Sequence, residues 1–283
     1  MKVMVTGAAG VLGRAVAAEC EGRGWNVLAL NRQQLDVTHV AAVREAVHTY
    51  RPRVLINCAA YVDVDGAEAH VEQAFAVNAL APRNLARLCK EEGVLLVHIG
   101  TDYIFSGEKD EPYRVYDLPG PLNRYGASKW WGEQAVREVG GEFLIVRTSW
   151  LFGPGGRHFV GTILKAAETG TELRVVDDQQ GCPSYAPDVA RALADLVAAD
   201  ARGTFHVTNG GITTWYRLAE KVLELAEKKV RVVPCGTEAY PRPARRPRFS
   251  ALDPFPLKET IGYLLPPWED ALRRYLEGRQ GER

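Results

Sequence analysis

Thr101, Asp102 and Tyr103 are followed, 22 residues after Tyr103, by the run Tyr125-Gly126-Ala127-Ser128-Lys129. A hydroxyl, a phenol and an ammonium suit the protonation of a carbonyl oxygen. On a helix, residues four apart lie one turn above each other on the same face, which would put the Lys129 ammonium beside the Tyr125 phenol. A nearby cation favours the phenolate and draws the phenol down from its ordinary value of about 10 toward working pH. The same spacing also describes two unrelated residues on a solvated helix face, so the rest of the chain has to decide.

Lys2 to Thr6 form a short apolar run with strand chemistry, then comes Gly7-Ala8-Ala9-Gly10-Val11-Leu12-Gly13, and Leu12, Val16 and Cys20 mark a helical face. This order of strand, glycine turn and helix is the context in which such glycines bind a dinucleotide. Gly7 permits the tight turn, Gly10 lets backbone amides approach a pyrophosphate, and Gly13 allows close packing of helix on strand. The amides of Val11 and Leu12 open the helix, whose positive end faces the phosphates. A secretory leader with Lys2 as its basic region fails because three glycines and Arg14 interrupt the apolar stretch and no cleavage site follows.

At the end of the second strand, about 20 residues past the glycines, an acid would hold the ribose 2′-hydroxyl of NAD. Leu30-Asn31-Arg32 offers no acid and one guanidinium, which favours the 2′-phosphate of NADPH while leaving NADH acceptable. Asp36 and Val37 follow closely enough to line the adenine pocket; Asp36 is also placed to cap the next helix.

The alternation continues. Residues 2–6, 26–30, 54–59, 94–99 and 142–148 read as strands, separated by helical patterns near 11–23, 39–50, 79–92 and 125–140. Such alternation predicts an α/β, Rossmann-type doubly wound parallel sheet with right-handed crossovers. Ligands of such sheets lie at the carboxyl ends of the strands. Gly7, Asn31 with Arg32, the run Ala59-Ala60-Tyr61, and Thr101 all fall there. The expected organisation is a dinucleotide-binding domain over 1–150, a smaller substrate-binding domain over 151–283, and a strand-helix segment, 173–200, returning to the first sheet. Helices are expected over 213–227 and 267–278, with Trp268, Leu272 and Tyr275 in the core.

Composition fits a cytoplasmic enzyme. In 283 residues, 35 basic and 35 acidic side chains cancel, so neither nucleic acid nor an acidic membrane surface is an expected partner. No apolar run approaches the roughly 20 residues of a membrane helix. The five cysteines, at 20, 58, 89, 182 and 235, are odd in number and lack metal-ligand spacing, which points to reduced thiols. His98 and His206 lie inside expected strands and read as packed residues. No metal site is expected.

The glycine turn, Asn57-Cys58-Ala59-Ala60-Tyr61, Val77-Asn78, Gly100 to Phe105 and the Tyr125 to Lys129 run together resemble an extended short-chain dehydrogenase/reductase. Arg147 to Phe152, Asp178 to Tyr185, Thr208 to Gly211 and Arg246 to Leu252 narrow the resemblance to the dTDP-4-dehydrorhamnose reductase family, over nearly the whole chain. It implies reduction of the 4-keto group of a dTDP-linked 6-deoxyhexulose with NADPH or NADH. Tyr125 would give the proton, Lys129 would lower its pKa and hold the nicotinamide ribose, and Thr101 would bond the same carbonyl oxygen. Asp102 and Tyr103 would contact the sugar, and Asn78 would belong to the cofactor site.

Trp150 either stacks on the nucleotide or sugar or packs in the core, and Arg245, Arg246 and Arg248 are candidate diphosphate cations. The run Gly153-Pro154-Gly155-Gly156-Arg157 resembles a mobile substrate loop, but Gly156-Arg157-His158 departs from the family pattern there. Ala15 and Ala18 offer nothing to the magnesium site of some relatives. A homodimer is left open. Other readings are another nucleotide-sugar epimerase or dehydratase, a non-catalytic relative resembling the regulatory subunit of methionine adenosyltransferase, and a non-sugar ketone reductase. Tyr103 stands where a dehydratase would carry its glutamate.

Overall fold

The structure is a computed structural model and describes residues 1–281. Its first half alternates as the sequence predicts: β1 (Lys2–Thr6), α1 (Val11–Gly22), β2 (Asn26–Leu30), α2 (Val40–Tyr50) and β3 (Val54–Asn57). Two short helices, α3 (Gly66–Ala69) and α4 (Val71–Phe75), run through one π turn at Ala76–Leu80 into α5 (Ala81–Glu92). Then follow β4 (Leu95–Thr101), α6 (Arg124–Val139) and β5 (Phe143–Thr148). The second half holds β6 (Leu151–Phe152), α7 (Phe159–Ala166), β7 (Glu172–Val176), β8 (Gln180–Gly181), β9 (Ser184–Tyr185), α8 (Ala186–Ala198) and β10 (Gly203–His206). It ends with β11 (Thr213–Thr214), α9 (Trp215–Leu225), β12 (Arg231–Cys235), α10 (Leu257–Ile261) and α11 (Trp268–Gly281).

Six strands form one parallel sheet in the order β10-β5-β4-β3-β1-β2. Strand side chains alternate between faces, and here both faces are apolar. Val3, Val5, Val54, Ile56, Val97 and Val146 meet Leu12, Val16 and Cys20 of α1 and Val189, Leu193 and Leu196 of α8. Met4, Leu55, Leu96 and Ile145 point the other way, onto Val43 and Val47 of α2, Leu85 and Cys89 of α5, and Val136 of α6. Helices on both faces explain why these strands read as continuous apolar runs. Strand order reverses between β1 and β3, and the crevice for a ligand opens there.

A second core gathers Phe152, Val160, Ile163, Val175, Leu218, Val222, Trp268, Leu272 and Tyr275, from α7, α9, α11 and the strands beside them. Here the structure corrects an expectation. Helix α8 packs on α1, but the strand before it, β7, pairs in parallel with β12 instead of joining the large sheet. The burial along β7 is one-sided, with Glu172 and Arg174 exposed, and a strand inside a doubly covered sheet must bury both faces. The sixth place goes to β10, whose Phe205 and His206 are buried. The strands expected at 54–59 and 94–99 also shift: β3 ends at Asn57, and β4 runs on to Thr101, which pairs with Thr148. Among the described residues, no helix is long and apolar enough to cross a membrane.

Candidate active site

The glycine turn is built on close approach. Gly7 has a φ of 66°, and a Cβ there would lie 2.5 Å from the Ala59 amide nitrogen; one on Gly13 would lie 2.3 Å from the Gly7 carbonyl oxygen. Gly10 caps α1 with no side chain, and its own N–H is spent on the Gly7 carbonyl at 3.0 Å. The first helical amides, Val11 to Gly13, have no intrahelical partner and line a cavity of about 570 Å³. A dinucleotide fits this cradle: it offers amide donors, a helix dipole and backbone space that any side chain would fill.

At the end of β2, Ala8 N–H bonds the Leu30 carbonyl at 3.1 Å and brings the next turn beside the glycines. Asn31 closes that turn by accepting from the Gln33 and Gln34 amides. The Arg32 side chain is 76% exposed, with Asp36 at 3.6 Å. Asp36 accepts from the Thr38 amide and hydroxyl, which hold its carboxyl below its ordinary value. It therefore caps a turn; the residue before α2 is His39. Val37 is core.

Beyond β3, Cys58, Ala59 and Ala60 form the cavity wall. Asn78, buried in the π turn, accepts from the Tyr61 amide at 2.8 Å and donates to the Tyr61 carbonyl and the Ser128 hydroxyl, both at 3.0 Å. It fixes the wall to α6 through both of its polar atoms.

The opposite wall carries Thr101, Asp102, Tyr125 and Lys129. Asn123 caps α6 by accepting from Gly126 N–H at 2.8 Å, and a Cβ on Gly126 would lie 2.2 Å from the Tyr103 carbonyl. That glycine lets the helix settle against the end of β4, with the Tyr103 and Tyr125 rings edge to face at 5.9 Å. The electrostatics depart from the sequence expectation. Burial pushes the Tyr125 phenol up to about 12; the Thr101 hydroxyl opposes the rise and Asp102 adds to it. Lys129 donates to the Ile99 carbonyl at 2.5 Å, and burial lowers its ammonium to about 8. Desolvation thus outweighs the expected ammonium-phenol effect, and Tyr125 stands as a protonated donor.

Trp150 lines the same cavity but stacks one face on Trp215, with centroids 3.5 Å apart at 8°. Its φ of 45° turns the chain toward the second core, and Gly181 leaves room for its ring, since a Cβ there would lie 2.6 Å away. Of the three expected phosphate cations, Arg246 is engaged by Asp65 at 2.5 and 2.9 Å, and Arg248 by Asp110 at 2.9 Å. Arg242 also pairs with Asp65. Sequence reasoning passed over Asp65 and Val62, and gave no role of their own to Ser149 or to Ser250, whose hydroxyl donates to Asp102 at 2.6 Å. Gly156 and Arg157 do line the cavity.

The RmlD substrate binding domain family matches residues 1–280 of this chain. The chain belongs to that family. Among its relatives, the dTDP-4-dehydrorhamnose reductase of Streptomyces griseus is 44% identical over 257 residues, covering 88% of this chain and 84% of the relative. The crystal structure of a dTDP-4-dehydrorhamnose reductase from Clostridium acetobutylicum superimposes with a TM-score of 0.96 at 39% identity, covering 99% of this chain and 100% of that one. The Bacillus anthracis enzyme, crystallised in complex with NADP, gives a TM-score of 0.95 at 37% identity, over 98% and 99% of the two chains. In this RmlD-family chain, the match extends through the glycine turn, the Tyr125 helix and the second core alike.

Proposed function

We propose that this chain is an NADPH-dependent oxidoreductase that reduces the 4-keto group of dTDP-4-dehydro-6-deoxy-L-mannose to dTDP-L-rhamnose, a step in cell-surface polysaccharide biosynthesis. The observation that carries the reading is one cavity with the glycine turn and α1 amides on one wall and Thr101, Tyr125 and Lys129 on the other. When bound, NADPH supplies the hydride. Tyr125, kept protonated by burial, gives its proton to the carbonyl oxygen as a general acid. Thr101 donates a hydrogen bond to the same oxygen. Lys129, brought near working pH by burial, holds the ribose and favours the phenolate left after the proton departs. Arg32 pairs with the 2′-phosphate, the Asn31 and Asp36 turns and Val37 shape the adenosine end, and Asp102, Tyr103 and Trp150 bound the sugar. Buried thiols at Cys20, Cys89 and Cys182 suit the reducing cytoplasm. Assembly as a homodimer belongs to the same reading, supported by the exposed Trp131 and Leu80 side chains on the packed α6 and π-turn segments.

The test is loss of NADPH absorbance with the dTDP-linked 4-keto sugar, run beside Tyr125→Phe. The parent should turn over, and the variant should lose roughly 10²- to 10⁴-fold in rate while still binding NADPH. Cofactor binding without turnover in the parent would favour a regulatory subunit and sink the reductase reading.

A further inference from the structure

The segment Arg242 to Arg248 belongs to no helix and no strand of the sheets, and Pro243 and Pro247 stiffen it by fixing φ. Its first half does not face a phosphate; it is gathered on a single carboxylate. Asp65 accepts from Arg242 Nε at 2.8 Å, from the Ala244 N–H at 3.1 Å, and from both Nη atoms of Arg246 at 2.5 and 2.9 Å. Arg246 also donates to the Ala244 carbonyl at 2.5 Å, which closes the turn on itself. The Asp65 and Arg246 side chains are only 20% and 13% exposed, so solvent screens the pair weakly. Held in this way, the turn presents the Arg245 carbonyl to the buried Asn123, whose Nδ2 donates to it at 2.7 Å.

Asn123 is the N-cap of α6, and its Oδ1 accepts from Gly126 N–H at 2.8 Å. Capping needs only that oxygen. The bond from its nitrogen adds nothing to the helix and reaches a residue 122 positions away. On the other side of Tyr125, the Arg124 N–H donates to Glu68 Oε1 at 2.8 Å. The amides flanking Tyr125 are thus both tied to the segment Asp65 to Glu68, Arg124 directly and Gly126 through Asn123, the Arg245 carbonyl and the turn clasped by Asp65. That segment follows the cavity wall formed by Cys58, Ala59 and Ala60. It is packed against the end of this wall, since a Cβ on Gly66 would lie 2.7 Å from the Tyr61 hydroxyl.

We propose that Asp65 is a positioning residue for the reduction: by clasping the Arg242 to Arg246 turn it holds the Arg245 carbonyl on Asn123 and so fixes Tyr125 relative to the cofactor wall. The inference rests on the reductase reading, in which Tyr125 is the proton donor. Hydride and proton must reach neighbouring atoms of one carbonyl group, one from each side of the cavity, so both sides need a common frame. A misplacement of about 1 Å can cost roughly 10²-fold in rate. Asp65 does not line the cavity; it acts only through the turn and the α6 cap.

The experiment is stopped-flow oxidation of one NADPH preloaded per site, mixed with saturating dTDP-linked 4-keto sugar. The amplitude counts folded sites, whereas the rate constant reports how the reacting groups are placed. Asp65→Ala removes the clasp. Asn123→Ser keeps an N-cap acceptor but lacks the amide that reaches Arg245, so it cuts the tie and spares the helix start. In both variants the rate constant should fall at least about tenfold, with the NADPH Kd within about twofold of the parent. Asp65→Asn, which still accepts from the Ala244 N–H, should fall between the parent and D65A. Val47→Ala thins the core beneath α2 and is the control: it should lower Tm and keep the parental rate constant. If D65A does not fold, N123S decides. Parental rate constants in the folded variants, or a V47A rate constant that drops as far as theirs, would overturn the positioning role. A raised NADPH Kd with an unchanged rate constant would make Asp65 a support of the cofactor site and overturn it as well. A parent that never turns over would remove the reductase reading and this role with it, whereas an active parent matched by D65A and N123S would remove the role alone.

Discussion

Replacing Gly13 by alanine places a methyl carbon 2.3 Å from the Gly7 carbonyl oxygen and 2.9 Å from the Ala8 Cα. Comfortable contact between such atoms begins near 3.5 Å, so α1 must retreat by about 1 Å. Both obstacles are backbone, and no flexible side chain can yield. The helix cannot retreat freely either, because Leu12, Val16 and Cys20 are buried against the sheet and α8. Overpacking of this kind costs up to about 3 kcal/mol, or roughly 6–12 °C in Tm for a chain of this size. The same movement displaces the Val11 to Gly13 amides, so NADPH affinity should fall at least about tenfold, or 1.4 kcal/mol. Gly22, at the other end of α1, is the control. A Cβ there meets nothing within 4 Å, and Gly22→Ala should be neutral or raise stability by up to about 1 kcal/mol. Circular dichroism melts and titration of tryptophan fluorescence with NADPH read both effects. A G13A variant that melts with the parent and binds NADPH equally well would refute the close-approach argument.

Two further outcomes can be checked directly. Arg32→Ala should raise the KM for NADPH about tenfold, the loss of one charge-assisted contact, and leave the KM for NADH unchanged; an equal change in both would remove Arg32 from the 2′-phosphate. Asp65→Asn should cost about 2 kcal/mol at pH 7, because the Arg246 guanidinium holds the Asp65 carboxyl well below the usual carboxylate range. A depressed folded pKa contributes stability that is full above the unfolded value of about 3.9 and is lost as pH falls through the folded one. The Tm gap between parent and D65N should therefore hold steady from pH 7 to about 5 and shrink toward pH 3; a gap that widens in acid would contradict the pairing.

Local periodicity carried much of this molecule into view. The apolar runs at Lys2–Thr6 and Asn26–Leu30 are strands because both their faces are covered, and the glycine turn between them announces itself by composition. The Tyr125–Lys129 spacing was readable because both residues sit on one helix. Contacts between distant segments leave no such trace. Ser250 on Asp102, Arg246 on Asp65 and Trp215 on Trp150 each join segments far apart, and nothing in the spacing of either partner points to the other. Strand β7 misled for a related reason: a short β-rich run before a helix looks the same whether it joins a large sheet or pairs with one distant strand. The Tyr125 phenol shows the limit of reading charge from spacing. Proximity to Lys129 is visible in sequence, but the burial that outweighs it is a property of the assembled cavity.

The two cores are woven from one chain that passes between them repeatedly. Val3 to Val146 build the first, Phe152 to Val175 the second, Ala186 to Val207 the first again, and Leu218 to Leu223 the second. Leu257 and Leu265 then return to the first before Trp268 to Leu276 close the second. Neither core corresponds to an uninterrupted stretch of gene. A single recombination crossover with a relative anywhere between Phe152 and Leu265 would therefore leave both interiors hybrid, with side chains of two parents having to interlock. Trading sugar preference between family members is a matter of exchanging several short segments together, and sequence change around the cavity is constrained to proceed by coordinated local substitution.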